Sequence, residues 1–66
     1  MPLTRFEKTY TEMFPLLLRQ AEFLLGSRAD AEDAVQNVFL KVMRRGPDDH
    51  RRLESSYLQT AVRNEV

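Results

Sequence analysis

Hydrophobic positions recur at helical spacing in three segments of the chain, and segment 30–42 shows the clearest pattern. Its apolar residues return every three or four positions and form a stripe that requires a partner helix: Ala31, Ala34, Val35, Val38 and Val42. The other side is polar and carries Glu32, Asp33, Gln36, Asn37 and Lys41. We predict a helix from Ala31 to Arg44 or Arg45. Asp30 is its predicted N-cap, because a carboxylate accepts from the free amides of the first turn, and Asp33 stands at the capping-box position.

A longer stripe precedes it and predicts a first helix over residues 4–25. Its members are Phe6, Tyr10, Met13, Phe14, Leu17, Leu18, Ala21, Leu24 and Leu25. Thr4 and Glu7 have the spacing of a capping box, and Gly26 suits a left-handed C-cap. Pro15 interrupts the helical hydrogen bonds, so we expect either a kink near Pro15 or two nearly continuous helices.

The third stripe follows Gly46-Pro47, which ends the central helix. It runs over residues 53–64 and comprises Leu53, Tyr57, Leu58, Ala61 and Val62. Ser55 or Ser56 is the expected cap if this helix begins late. The predicted fold class is therefore all-α, a compact three-helix bundle.

Length and composition limit the chain to one small domain with a thin core. It has 66 residues, 42% hydrophobic and 30% charged, which is typical of a globular domain. No apolar run approaches the roughly 18 residues of a membrane span, and no signal-peptide layout opens the chain. The absence of cysteine excludes disulfides and thiolate metal sites. It is compatible with a reducing cytoplasm, which is the predicted location.

The net charge is zero, which gives no support for nucleic-acid binding on its own. The charge is unevenly distributed, however. From residue 41 onward the chain has six basic and four acidic residues, whereas residues 1–40 have four basic and six acidic ones. The C-terminal part is therefore the better candidate for contact with a phosphate backbone.

Catalytic and metal chemistry find little support in the residues. The two glycines are far apart, which excludes a glycine-rich phosphate loop. Asp30, Glu32 and Asp33 cluster at a helix start, where capping and the helix dipole explain them. His50 is the only histidine and lacks further ligands for a metal. We expect no enzyme, no cofactor and no metal.

Segment 30–42, Asp-Ala-Glu-Asp-Ala-Val-Gln-Asn-Val-Phe-Leu-Lys-Val, resembles the conserved segment of region 2 in the extracytoplasmic-function (ECF) sigma factors of bacteria. The flanks also resemble this family. Segments 6–10, 14–17 and 24–26 look like its first helix, including the proline, and segments 57–58 and 61–65 look like the start of its promoter-recognition helix. The similarity covers nearly the whole chain, in order, so residues 1–66 are expected to be one region 2 domain.

The resemblance implies a module that binds core RNA polymerase, on the clamp coiled-coil of the β′ subunit. By similarity the binding residues are those of the polar side of the central helix: Asp33, Gln36, Asn37, Leu40 and Lys41. Helical steps of three and four residues place Asp33, Gln36, Asn37 and Lys41 on one side. A solvated polar face without a partner is the alternative from the residues alone.

The resemblance also implies recognition and melting of the promoter −10 element through the non-template strand. Melting requires a cationic path and side chains that accept an unstacked base. Arg51 and Arg52 are candidates for the charge, and Tyr57, Arg63 and Asn64 for stacking or hydrogen bonding. An anti-sigma factor is the other implied partner, and no membrane partner is expected. A core role for Tyr57 and a solvated Arg63 remain the structural alternatives.

Several residues depart from the family pattern. Met43 stands where tryptophan is frequent, and Asp48 and Asp49 weaken a cationic path. The basic stretch and the helix-turn-helix domain expected after Val66 are not in the sequence, so we expect a fragment of a longer chain. These departures leave a second hypothesis: a protein-interaction module of sigma-like fold, for polymerase or an anti-sigma factor, without promoter recognition.

Overall fold

The computed structural model describes residues 3–46 and 53–66, and within them the chain forms three α-helices. They are α1 (Arg5–Leu25), α2 (Arg28–Arg45) and α3 (Ser55–Glu65). Each helix packs against the other two, which confirms the all-α three-helix fold class. The expectations for the loop over 47–52, including those for His50, Arg51 and Arg52, lie outside the described residues.

Helix α1 begins with the predicted capping box. The amide of Glu7 donates to Thr4 Oγ1 over 3.1 Å, and the amide of Thr4 donates to Glu7 Oε1 over 3.3 Å. A single helix continues through Pro15, so the alternative of two helices is wrong. Pro15 removes only the amide that would reach the Thr11 carbonyl, and both residues are exposed, so water can hydrate that carbonyl.

A two-residue turn joins α1 to α2 and corrects the predicted start of the central helix. Gly26 has the left-handed φ of 69°, and its amide donates to Glu22 O over 2.8 Å, as a C-cap requires. Ser27 follows as the N-cap of α2, and its hydroxyl accepts from the Asp30 amide over 3.3 Å. The assignment of Asp30 as cap, with Asp33 at the capping-box position, is therefore wrong. The helix starts directly after the turn because serine caps as well as aspartate does.

Helix α2 ends at Arg45, and Gly46 is its C-cap with φ of 129°. Helix α3 begins later than its apolar stripe. Glu54 precedes it as the N-cap residue but makes no side-chain cap hydrogen bond. The proposed caps Ser55 and Ser56 are wrong, since both lie inside the helix, where Ser55 Oγ accepts from Gln59 Nε2 over 3.1 Å.

The core lies between the three helices and is apolar throughout the described chain. Its buried cluster consists of Leu17, Leu18, Ala21, Ala31, Val35, Val38, Phe39, Val42, Leu53, Leu58 and Val62. Phe39, absent from the predicted stripe, is only 2% exposed. Leu24 and Leu25 are 45% and 37% exposed, so their assignment to the buried stripe is wrong. They lie in the last turn of α1.

Candidate functional site

The five residues predicted to bind polymerase form one surface of α2, here called the α2 outer face: Asp33, Gln36, Asn37, Leu40 and Lys41. Four of the side chains are exposed and Asn37 is half-buried. The apolar face of α2 is turned into the core, and this orientation leaves the polar positions at three- and four-residue steps outside. The structure thus brings the predicted set together.

One edge of the α2 outer face meets the C-terminal end of α3. Asp33 and Asn37 line a cavity of about 180 Å³ whose wall includes Glu65 and Val66. Lys41 lies one turn further along α2, and its Nζ is 2.6 Å from Glu65 Oε2. This edge of the face is therefore held by an ion pair between two helices.

The other edge meets the N-terminal half of α1. Gln36 and Leu40 line an apolar cleft of about 210 Å³ together with Phe6 and Tyr10. Beneath them the Phe39 ring makes edge contacts with both aromatic residues, with centroid distances of 6.0 Å to Phe6 and 4.8 Å to Tyr10. Aromatic packing thus fixes the backbone from which Leu40 projects.

A second cavity, here called the Tyr57 cavity, opens between α2 and α3. Its volume is about 180 Å³, and it is lined by Val38, Lys41, Val42, Arg45, Tyr57, Ala61, Asn64 and Glu65. Tyr57 is 38% exposed, so it is not the core residue of the structural alternative. The Tyr57 ring can stack on a base, the Asn64 amide can hydrogen-bond its edge, and the Arg45 guanidinium can neutralise a phosphate.

Arg63, another predicted DNA-binding residue, does not line this cavity. Arg63 lies on the α1 side of α3, in a groove with Leu16 and Phe23, because it is turned about a third of a helical turn from Tyr57 and Asn64. Arg51 and Arg52 belong to the stretch that the structure does not describe. Of the five candidates, Tyr57 and Asn64 alone are shown to share a site.

The family model of Sigma-70 region 2 matches residues 9–66, a span that contains α2, α3 and most of α1. The chain belongs to the Sigma-70 region 2 family. No curated protein and no solved structure gives a significant match. Membership assigns this region 2 domain to sigma factors and hence to transcription initiation.

Sigma factor region 2 domains are not enzymatic. Among residues 3–46 and 53–66, no group of three or more His, Cys, Asp or Glu side chains is placed to hold a metal ion. None of the helices in the described chain has the length and apolar character needed to cross a membrane.

Two residues of this region 2 domain were missed by the sequence analysis. Glu65 joins the α2 outer face to α3, and Arg45 lines the Tyr57 cavity. Each has a periodic signal: Glu65 is one turn after Ala61, and Arg45 one turn after Lys41. Neither residue was predicted to belong to a site, whereas both stand at the boundary between two helices.

Proposed function

We propose that this region 2 domain is part of an ECF sigma factor that acts in the cytoplasm. Its α2 outer face binds the clamp coiled-coil of the β′ subunit of core RNA polymerase. The Tyr57 cavity contacts the non-template strand of the −10 element during promoter melting. An anti-sigma factor that covers these surfaces regulates the protein.

The arrangement of the α2 outer face is the observation that supports this proposal most. Leu40, 48% exposed, is bordered by Gln36, Asn37 and Lys41. On its other side Leu40 borders the apolar cleft with Phe6 and Tyr10. Exposed apolar surface beside polar side chains is the common anatomy of a protein–protein interface. The same helix carries the segment that resembles the polymerase-binding part of ECF region 2.

The DNA part of the proposal rests on the chemistry of the Tyr57 cavity. Tyr57 provides a stacking surface and Asn64 donors and acceptors for a base edge. Arg45 gives the cavity positive charge beside the Lys41–Glu65 ion pair. Arg51, Arg52 and Arg63 are proposed to contact the backbone of the strand. The small cationic surface predicts weak DNA affinity for the domain alone.

Calorimetric titration of the chain with an isolated clamp coiled-coil fragment tests the polymerase part. We expect binding by the native chain and its loss in Asp33→Lys, because the lysine reverses the charge of an exposed carboxylate on the face. Circular dichroism should show unchanged helix content, since Asp33 is exposed and caps no helix.

Glu54→Lys is the matched control for the charge reversal. Glu54 is exposed, makes no side-chain cap hydrogen bond and lies away from the α2 outer face. This variant should bind the clamp fragment as the native chain does. Binding that persists in Asp33→Lys, or a folded native chain that fails to bind, would refute the assignment of this face.

A protein-interaction module without promoter recognition is the second candidate. It is favoured by Glu65, whose carboxylate lines the Tyr57 cavity and takes up the charge of Lys41. Such a module binds the clamp fragment or an anti-sigma factor but gives no single-stranded DNA binding in the clamp complex. A titration of the clamp complex with a single-stranded oligonucleotide therefore distinguishes the two candidates.

A further inference from the structure

The side of α1 that faces away from the core carries a continuous row of exposed residues, here called the α1 ridge: Arg5, Lys8, Glu12, Leu16, Arg19 and Phe23. They follow one another at three- and four-residue steps and so lie along one line of the helix. Phe23 is 89% exposed and Leu16 is 58% exposed. Exposed apolar side chains in line on a small domain mark an interaction surface.

The α1 ridge is separate from both surfaces of the proposed function. Helix α1 packs through the other side of the helix, where Leu17, Leu18 and Ala21 are buried. No member of the ridge belongs to the α2 outer face or lines the Tyr57 cavity. Association through the ridge therefore leaves those two surfaces accessible, although it covers the groove in which Leu16 and Phe23 lie beside Arg63, a residue proposed to contact the strand.

Three charged residues of the α1 ridge, Lys8, Glu12 and Arg19, are unpaired in the described chain and stand at matched distances from the middle of the helix. Within the described parts of the chain, Lys8, Glu12 and Arg19 take part in no ion pair. Glu12 and Arg19 stand about one turn to either side of the Pro15–Leu16 bond, and Lys8 and Phe23 about two turns. A two-fold axis that passes through that bond perpendicular to the helix places Glu12 of one copy opposite Arg19 of the other. It also places Lys8 opposite Phe23.

We propose that the α1 ridge is an interface with a second copy of this chain, with the two α1 helices antiparallel. Leu16 of each copy lies beside the axis. Arg19 faces Glu12 of the other copy, and Phe23 approaches the ammonium group of Lys8 of the other copy. Each contact is made twice, as an isologous two-fold interface requires, and Lys8 with Phe23 gains a cation–π attraction.

The size of the interface sets the expected strength. A single helix pair about 31 Å long buries less than the roughly 1,200 Å² below which complexes are usually weak and transient. We expect a reversible dimer with a dissociation constant on the order of 100 µM. Apolar contact at Phe23 and Leu16 contributes most of the affinity, and the Arg19–Glu12 pairs determine orientation.

Sedimentation equilibrium from about 10 µM to about 1 mM tests the interface by charge exchange. In Arg19→Glu two acidic side chains face each other at each contact, and in Glu12→Arg two basic side chains do. Each variant should therefore raise the dissociation constant by about tenfold or more. An equimolar mixture of the two variants should form a heterodimer, because every contact then joins an acid to a base. The double variant should self-associate as the native chain does.

Arg44→Glu is the matched control, since it makes the same charge change at an exposed position of α2 outside the ridge. It should leave the dimer unchanged, and circular dichroism should show every variant to be helical. A native chain that stays monomeric at about 1 mM would overturn the proposal. Equal self-association of all the variants would also overturn it, because it would indicate unspecific apolar contact. The clamp titration of Arg19→Glu is unaffected in either case, so this test is independent of the proposed function.

Discussion

Lys41 Nζ lies 2.6 Å from Glu65 Oε2 and joins α2 to the last turn of α3. The pair stands between the two surfaces of the proposed function, since Lys41 belongs to the α2 outer face and both residues line the Tyr57 cavity. The Glu65 side chain is 18% exposed and the Lys41 side chain 61% exposed. The contact therefore aligns the two surfaces more than it stabilises the fold.

A double-mutant cycle of Lys41→Ala and Glu65→Ala should give a coupling free energy of about 0.5 kcal/mol. The value is small because water screens the largely exposed lysine. It should fall further in about 1 M salt, where the Debye length shrinks to about 3 Å. Urea unfolding at two salt concentrations measures it. A coupling above about 2 kcal/mol would contradict the exposure of Lys41.

Ser27→Ala should lower the free energy of unfolding by about 1 kcal/mol, because the Asp30 amide loses the hydroxyl that accepts from it. Asp30→Ala should cost less, since the Asp30 carboxylate contributes only through the helix dipole. Chemical denaturation of both variants measures the difference. The opposite ranking would restore Asp30 as the cap of α2.

The same substitution at two phenylalanines should have very different effects on stability. Phe39→Leu should destabilise the fold by about 1–2 kcal/mol, because it removes two aromatic edge contacts from the core. Phe23→Leu should change stability by less than about 0.5 kcal/mol, since Phe23 is 89% exposed. Thermal unfolding of the pair provides the measurement, at concentrations well below the expected dimer dissociation constant. Equal effects would place Phe23 in the core.

Substitutions at Tyr57 separate stacking from hydrogen bonding in the Tyr57 cavity. Tyr57→Ala should weaken the binding of a labelled single-stranded oligonucleotide pool to the clamp complex by about tenfold, since stacking of one base is worth roughly 1–3 kcal/mol. Tyr57→Phe should keep most of the affinity because it keeps the ring. Fluorescence anisotropy measures both.

Thr60→Ala is the control for the oligonucleotide titration, because Thr60 is exposed on α3 and does not line the cavity. It should bind the pool as the native chain does. If Tyr57→Ala also bound as tightly as the native chain, the Tyr57 cavity would not be the site of the strand.

Local signals predicted most of the fold. The Thr4–Glu7 capping box and the Gly26 cap depend on residues a few positions apart, and both are confirmed. The start of α2 was misassigned because Ser27 and Asp30 have similar capping ability, and only the turn at Gly26 decides between them. Phe39 was missed because its neighbours Val38 and Leu40 blur the apolar stripe, although it follows Val35 by four residues and precedes Val42 by three.

The candidate site was predictable only within single helices. Periodicity along α2 predicted which residues share the α2 outer face, and the structure brings them together. The approach of Lys41 to Glu65, or of Tyr57 to Arg45, depends on how α3 lies across α2, and no spacing within one helix contains that information. Arg63 was grouped with Asn64 as its neighbour in sequence, although adjacent helical residues point about 100° apart.

The two-residue turn at Gly26 and Ser27 also has a consequence that we expect for the order in which the domain assembles. It makes α1 and α2 a hairpin of contacts close in sequence, which form early because little loop entropy opposes them. We expect helix α3, which is separated from α2 by more residues and is buried through Leu58 and Val62, to join afterwards. Hydrogen exchange should therefore release the amides of α3 before those of the hairpin. If the domain opens in this order, the α2 outer face, which is proposed to bind polymerase, stays folded while α3, which carries Tyr57 and Asn64, detaches and returns.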